Sequence, residues 1–247
     1  MGSQFIAKTR AMSKPSRERM ILAELRRGNV PDFLRRLRPI KFSMRRGGKS
    51  YEAVLLVLPD YLSIGSDKDF VRMPMTPVTA QVIADHYGLM LPTSKMVDII
   101  YEHAETVLSP RPLPPKPEME LNDYYLRHNA MVEEQLGEDF DRSQLVAGHK
   151  KDIILTNQLV GNPFRVAIYG WHRSKGNPIQ PVSLVHGNSY ADYSHGVRLV
   201  APMMIINNKI YPVAEVLQDY ERSYLLSEEG PLRYTRLFTV FLDNRVL

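Results

Sequence analysis

From Leu145 onward the chain stops reading as helix and starts reading as strand, and that change of pattern limits the folds open to it. Before it, apolar residues recur at helical spacing. Residues 16–38 place Met20, Ile21 and Leu25, then Phe33, Leu34 and Leu37, in two short helices separated by Gly28 and Pro31. A helix over Thr76 to Met90 starts at Pro77 and reaches Gly88 near its end, and a second over residues 94–107 takes Thr93 as N-cap. A third runs from Leu121 to Leu136. The exceptions are two strands around Gly47-Gly48, the second of which, Val54 to Leu58, has no polar alternation and is expected to be buried on both faces.

After Leu145, LVAGHKKDIILT and FRVAIYGWH read as paired strands, IQPVSLVHG as a third, and Asn207-Asn208 as a hairpin turn, with a short helix from Val213 to Asp219. Helices first and strands later predict an α+β fold. The expectation is a mainly antiparallel sheet drawn from residues 51–64 and 145–211, with helices packed on it. Residues 1–40 read as a basic helical arm at its edge. Residues 41–247 read as one domain crossed by a proline-rich strap at 108–118.

The formal net charge is +5 in 247 residues, with much of the excess before Lys49. Such a segment attracts polyanions, so nucleic acid and acidic cell-wall polymers are both candidate partners. Cysteine is absent, which excludes disulfides, thiolate metal sites and a cysteine nucleophile. No apolar run has the roughly 20 residues that span a bilayer. The opening MGSQFIAKTR lacks the apolar core of a signal peptide and reads as an added remnant, which leaves room for a trimmed native leader. Neither a Walker A loop nor GxGxxG occurs, so nucleotide binding by those loops is disfavoured.

Four of the seven histidines fall between His149 and His195, among lysines, tyrosines and aspartates. Histidine titrates near neutral pH, and such a mixture is what proton transfer or metal binding needs. We expect His149, Lys151, His172, Tyr190 and His195 as catalytic groups, with Trp171, Tyr193 and Arg198 contacting substrate. A zinc-like divalent metal, if one is used, would take His172, His186, Asp192 and His195. Ser194 beside His195 reads as a hydrogen-bonding loop residue, because adjacent side chains on a strand point to opposite faces. His86, His103 and His128 read as ordinary helix residues.

The phrases GHKKD, IYGWH, PIQP and YADYSHGVRLV resemble motifs of an uncharacterised family of bacterial, often exported proteins, over roughly residues 51–229. That resemblance implies that the phrases belong to one domain, and it attaches no named activity. Together with the residues it leads us to expect an exported or periplasmic hydrolase or lyase of a cell-envelope polymer or peptide-like substrate. A metal-free nuclease and a non-catalytic glycan- or peptide-binding protein are the alternatives.

Overall fold

Residues 1–237 are described by the computed structural model, and the first forty are woven into its core. Helix α1 (Gly2–Thr9) buries Phe5 and Ile6, and α2 (Lys14–Arg26) buries Ile21, Leu22 and Leu25, all within the main hydrophobic cluster. The expectation of an arm at the sheet edge is corrected here. The apolar stripe of α2 is spent on the core, and even Arg17 is buried, donating to the Glu120 carbonyl at 2.7 Å and to Asn122 Oδ1 at 3.2 Å. The opening residues are structural as well: a Cβ on Gly2 would stand 2.7 Å from the Phe70 backbone. A boundary at residue 40 falls inside a strand.

That strand is β1 (Arg38–Arg46), paired antiparallel with β2 (Lys49–Val57). With β11 (Val200–Ile206) and β12 (Lys209–Pro212) they form an antiparallel sheet in the order β1-β2-β11-β12. Its two hairpins turn at Gly47-Gly48 and Asn207-Asn208, each with positive φ at both positions, as a tight two-residue turn between twisted strands requires. The chain is therefore α+β, as the order of patterns predicts. Strand β2 departs from expectation: Leu56 is 38% exposed and Val54 half-buried. An antiparallel sheet can cover one face and leave the other bare, which an uninterrupted apolar run does not reveal.

The hairpin of β3 (Ser63–Ser66) and β4 (Asp69–Arg72) receives α1. Helix α3 (Pro77–Tyr87) runs from the Thr76 cap to Gly88 in the left-handed region. Helix α4 (Ser94–His103) starts at Thr93, whose hydroxyl accepts from the Met96 amide at 3.1 Å. It stops four residues short of the expected end. The strands β5 (Thr106–Val107) and β6 (Val146–Ala147) pair in parallel around the connection that includes α5 (Asn122–Leu136). The proline-rich segment is a strap pinned by Leu108 N–H on the Ala147 carbonyl at 2.9 Å and by Leu113 N–H on the Tyr193 hydroxyl at 2.7 Å.

A second sheet holds β7 (Lys151–Ile153), β8 (Ile168–Ser174), β9 (Asn177–Ser183) and β10 (His195–Gly196), in the order β10-β7-β8-β9. One expected sheet is thus two, because the chain changes sheets after Gly196. Over Val197–Leu199 the carbonyls of Val197 and Leu199 accept from Leu62 and Leu58 at 2.8 and 2.9 Å, and β11 then joins the first sheet. Helix α6 (Val213–Gln218) follows and packs on β11. Among the described residues no helix is long and apolar enough to cross a membrane.

Gly65 tests the docking of α1. Its φ is +128°, and an added Cβ would lie 2.1 Å from the Asp69 carbonyl oxygen and 2.7 Å from the Gly2 nitrogen. Backbone strain and overpacking together predict that Gly65→Ala costs about 2–4 kcal/mol, read from the midpoint of denaturant unfolding. A midpoint unchanged from wild type would show that α1 does not depend on this contact.

Candidate active site

Strands β7 and β10 set the geometry. They are parallel, with His195 opposite Lys151 and Gly196 opposite Asp152. Paired residues share a face and neighbours alternate, so Lys151 and His195 face one side while Asp152 faces the other. Gly196 opposite Asp152 makes room for a ring, since a Cβ there would stand 2.5 Å from the ring of Tyr61. Tyr61 accordingly reaches Asp152 and donates to its Oδ2 at 2.8 Å.

On the first side, Asp192 organises the loop before β10. Its Oδ1 accepts from the Ser194 amide at 2.7 Å and the Ser194 hydroxyl at 2.5 Å, and its Oδ2 from the Tyr190 hydroxyl at 2.9 Å. Burial opposes ionisation of this carboxyl, but His195, the Ser194 bonds and Lys151 outweigh it and hold its pKa below the ordinary value. Ser194 bonds Asp192 and not His195, in keeping with a loop role. The Tyr190 ring stacks on His186 with centroids 4.0 Å apart and meets His195 edge-on at 5.6 Å. Lys151 lies 5.4 Å from the centre of the Trp171 ring, and burial lowers its pKa against the pull of Asp192.

His195 is the unusual member. It is fully buried, and neither ring nitrogen has a hydrogen-bond partner. Buried polar atoms in folded proteins are almost always paired, so an imidazole with two idle nitrogens calls for an explanation. Burial lowers its pKa to about 4, with Asp192 acting in the opposite direction. At neutral pH it is an uncharged ring that can take a proton.

His149 and His172 lie elsewhere. His149 sits 3.0 Å from Asp60 through Nε2, and Asp60 grips the fully buried Arg72, which also meets Glu133 at 2.8 Å. Burial draws the His149 pKa down to about 4 against Asp60. Burial also opposes ionisation of Asp60, yet Arg72 and His149 hold it well below the usual carboxylate range. This cluster ties β4 to α5, which makes His149 a structural partner.

The ring of His172 stacks on Tyr101 at 4.6 Å, and its Nε2 lies 2.9 Å from Asp98, which also accepts from Tyr169 at 2.8 Å. An irregularity in the β8–β9 pairing and a φ of +58° at Trp171 break the alternation of β8 here. Such a φ is rare for a bulky residue and re-aims its neighbour. A cavity with room for about one water lies beside it, lined by Tyr61, Tyr101, Asp152, His172 and Arg198.

The four imidazoles therefore do not meet in one cleft. His186 and His195 share a cluster with Lys151, Tyr190 and Asp192, while His149 and His172 belong to separate networks. The expected metal set is corrected on the same ground: His172 is committed to Asp98, and among the described residues no three His, Cys, Asp or Glu side chains gather as a metal site. The expected substrate contacts are also revised. Trp171, Tyr193 and Arg198 are at most 3% exposed. The Tyr193 hydroxyl is tied to both backbone groups of Leu113, and the Arg198 guanidinium donates to the carbonyls of Leu58 and Val146. His128 is more than an ordinary helix residue: it is buried, 3.5 Å from the Lys150 ammonium nitrogen, and burial drives its pKa far down.

Asp60, Tyr61, Arg72 and Asp98 escaped the sequence reading. Asp60 and Asp98 carried a signal, each being a carboxylate set within an apolar run, LPDYL and MVDII. No protein family, curated protein or solved structure matches this chain, so function rests on the geometry.

Asp152 supplies a test of the buried electrostatics. Burial raises its pKa to about 6, with Arg198, Tyr61 and His172 opposing. A folded-state pKa above the unfolded value of about 3.9 means that stability present below pH 4 is lost as pH rises through 6. Asp152→Asn removes that loss. Relative to wild type, the variant should gain about 2 kcal/mol between pH 4 and pH 8 in denaturant unfolding. Parallel pH profiles for the two proteins would contradict the assignment.

Proposed function

We propose that the protein is a hydrolase or lyase whose acid–base chemistry centres on His195 and whose substrate is a cell-envelope polymer or peptide-like molecule. The observation that carries this reading is the buried imidazole with both nitrogens unpartnered, placed between a carboxylate, a phenol and an ammonium group. The ring is uncharged and desolvated at neutral pH, so either nitrogen is open to a proton, and Asp192 beside it offsets the charge it would gain.

In this reading His195 takes the proton, from water in a hydrolase or from carbon in a lyase. Asp192 steadies the imidazolium that forms. Tyr190 or Lys151 returns a proton to the departing group. The phenol of Tyr190 stays protonated through neutral pH, since burial and then Asp192 raise its pKa. Lys151, half-buried, offers positive charge where negative charge develops. The half-exposed Tyr190–His186 stack supplies a flat face suited to a sugar ring or peptide plane. It also covers His195, so substrate entry requires this pair to move aside. An exported or periplasmic location belongs to the same proposal.

Activity on cell-wall material or peptide substrates should fall about 10²–10⁴-fold in His195→Ala and in His195→Gln, the usual range for loss of a general base. Both variants should still unfold cooperatively, His195→Ala at a lower temperature than His195→Gln because it leaves a cavity at a fully buried position. The rate should climb through pH 4–5 and then level off, following the lowered histidine pKa. A rising limb near pH 6.5, or activity retained in both variants, would remove His195 from the chemistry. The nuclease alternative would instead show substrate binding that weakens steeply with salt.

A further inference from the structure

Strand alternation gives the first sheet an inward and an outward face. Ile40, Leu55, Val57, Met204 and Ile206 point inward and are buried. Outward, the register sets Lys41, Val54, Ile205 and Ile210 in one row across all four strands. Pro39 beside Leu56 and Met203 beside Pro212 continue the face. Ile210 is 68% exposed, and Leu56, Met203 and Ile205 are each 38–42% exposed. Single apolar residues on a surface need no explanation, but a contiguous patch marks a surface that something covers.

Edge strand β1 shows what a wetted face is made of, with Lys41, Ser43 and Arg45 outward and exposed. Over 54–57 and 203–206, by contrast, β2 and β11 are apolar on both faces, the composition of a sheet covered on both sides. Three properties select the cover. The patch is aliphatic and without an aromatic ring, so it lacks the tyrosines and tryptophans that seat a protein in a lipid interface. Its margin holds both signs, Lys41 and Arg45 with Glu52; an anionic surface would repel the carboxylate, whereas a second copy of the same margin can match all three. The sheet's edges are closed to strand addition, since β12 has four residues ending at Pro212 and β1 carries Pro39 and outward charges. The face itself remains, about 30 Å along β1 and β2 and about 19 Å across four strands. Packed on its equal as one layer of a sandwich, it reaches the lower limit of specific interfaces, about 600 Å² per partner.

We propose that the protein forms a symmetric dimer by stacking the outward faces of two β1-β2-β11-β12 sheets, with Val54, Leu56, Met203, Ile205 and Ile210 at the centre and the charged margins against one another. An interface of this size corresponds to a dissociation constant on the order of 10 µM. The assembly is independent of the chemistry proposed for His195.

Sedimentation velocity of the full chain between about 1 and about 200 µM brackets that constant and should show monomer passing to dimer. Ile210→Glu and Ile205→Glu should each remain monomeric throughout. Ile210 is the least buried of the patch, so Ile210→Glu at the lowest concentration should unfold at the wild-type temperature, which separates loss of association from loss of fold. The unfolding temperature of wild type should rise with concentration by mass action, and that of Ile210→Glu should not. A wild type that stays monomeric at the highest concentration would overturn the proposal, and if it instead floated with phosphatidylglycerol vesicles the face would belong to lipid. A dimer that survives both substitutions would overturn it too, by placing association on another surface.

Discussion

The guanidinium of Arg198 is the joint between the two sheets. It is buried at the point where the chain leaves β10 for β11, donating to the Leu58 carbonyl at 2.8 Å and the Val146 carbonyl at 2.5 Å. It also lies 4.4 Å over the ring of Tyr61. One side chain thus links the end of β2, the short strand β6 and the ring that reaches Asp152. A buried cation is tolerated only where its donors are matched, and backbone carbonyls with an aromatic face do that here. Without this joint the segment Val197–Leu199 would have no reason to cross between sheets at that place, and β10 would not be held against β7.

Everything polar in the interior follows from that crossing. Because β10 lies parallel to β7, its histidine shares a face with Lys151 and its glycine leaves space for Tyr61 on the other. The interior is divided accordingly. The Asp60–Arg72–His149 cluster has its charges matched at close range, whereas Asp152 is held by the Tyr61 hydroxyl and Arg198 by backbone carbonyls. Buried Lys150 donates to the Tyr193 carbonyl at 2.7 Å, and burial brings its pKa down to about 7. Matched clusters of this kind hold elements in register more than they add net stability, since desolvation offsets much of the attraction.

The His195 side differs in that both nitrogens of its imidazole are unpartnered, where His149 and Asp152 each leave one atom so. Its carboxylate is fully engaged, its phenol is half-exposed, and its imidazole is idle. The backbone nearby is strained at Trp171, whose φ of +58° persists because the Lys150 carbonyl holds its amide at 3.0 Å and the surrounding rings fix its side chain. Strain and unpaired polar atoms are both costs that a fold retains only where the surroundings impose them, and they gather around the same strand pair.

Much of this was legible in the sequence. Thr93, Pro77 and Gly88 mark helix ends by local chemistry, and Gly47-Gly48 and Asn207-Asn208 mark hairpins by the backbone angles they accept, so α+β could be read without tertiary information. The histidine-rich stretch also held the residues that cluster, Lys151, His186, Tyr190, Asp192 and His195. Pairing partners were another matter. The sequence does not show that β11 pairs with β2, that α2 belongs to the core, or that Asp60 and Asp98 draw His149 and His172 away from His195. Spacing along a chain specifies which face a side chain takes on its own element. Which elements then meet is decided by how buried charge and apolar area are satisfied across the whole fold, and that balance exists only in three dimensions.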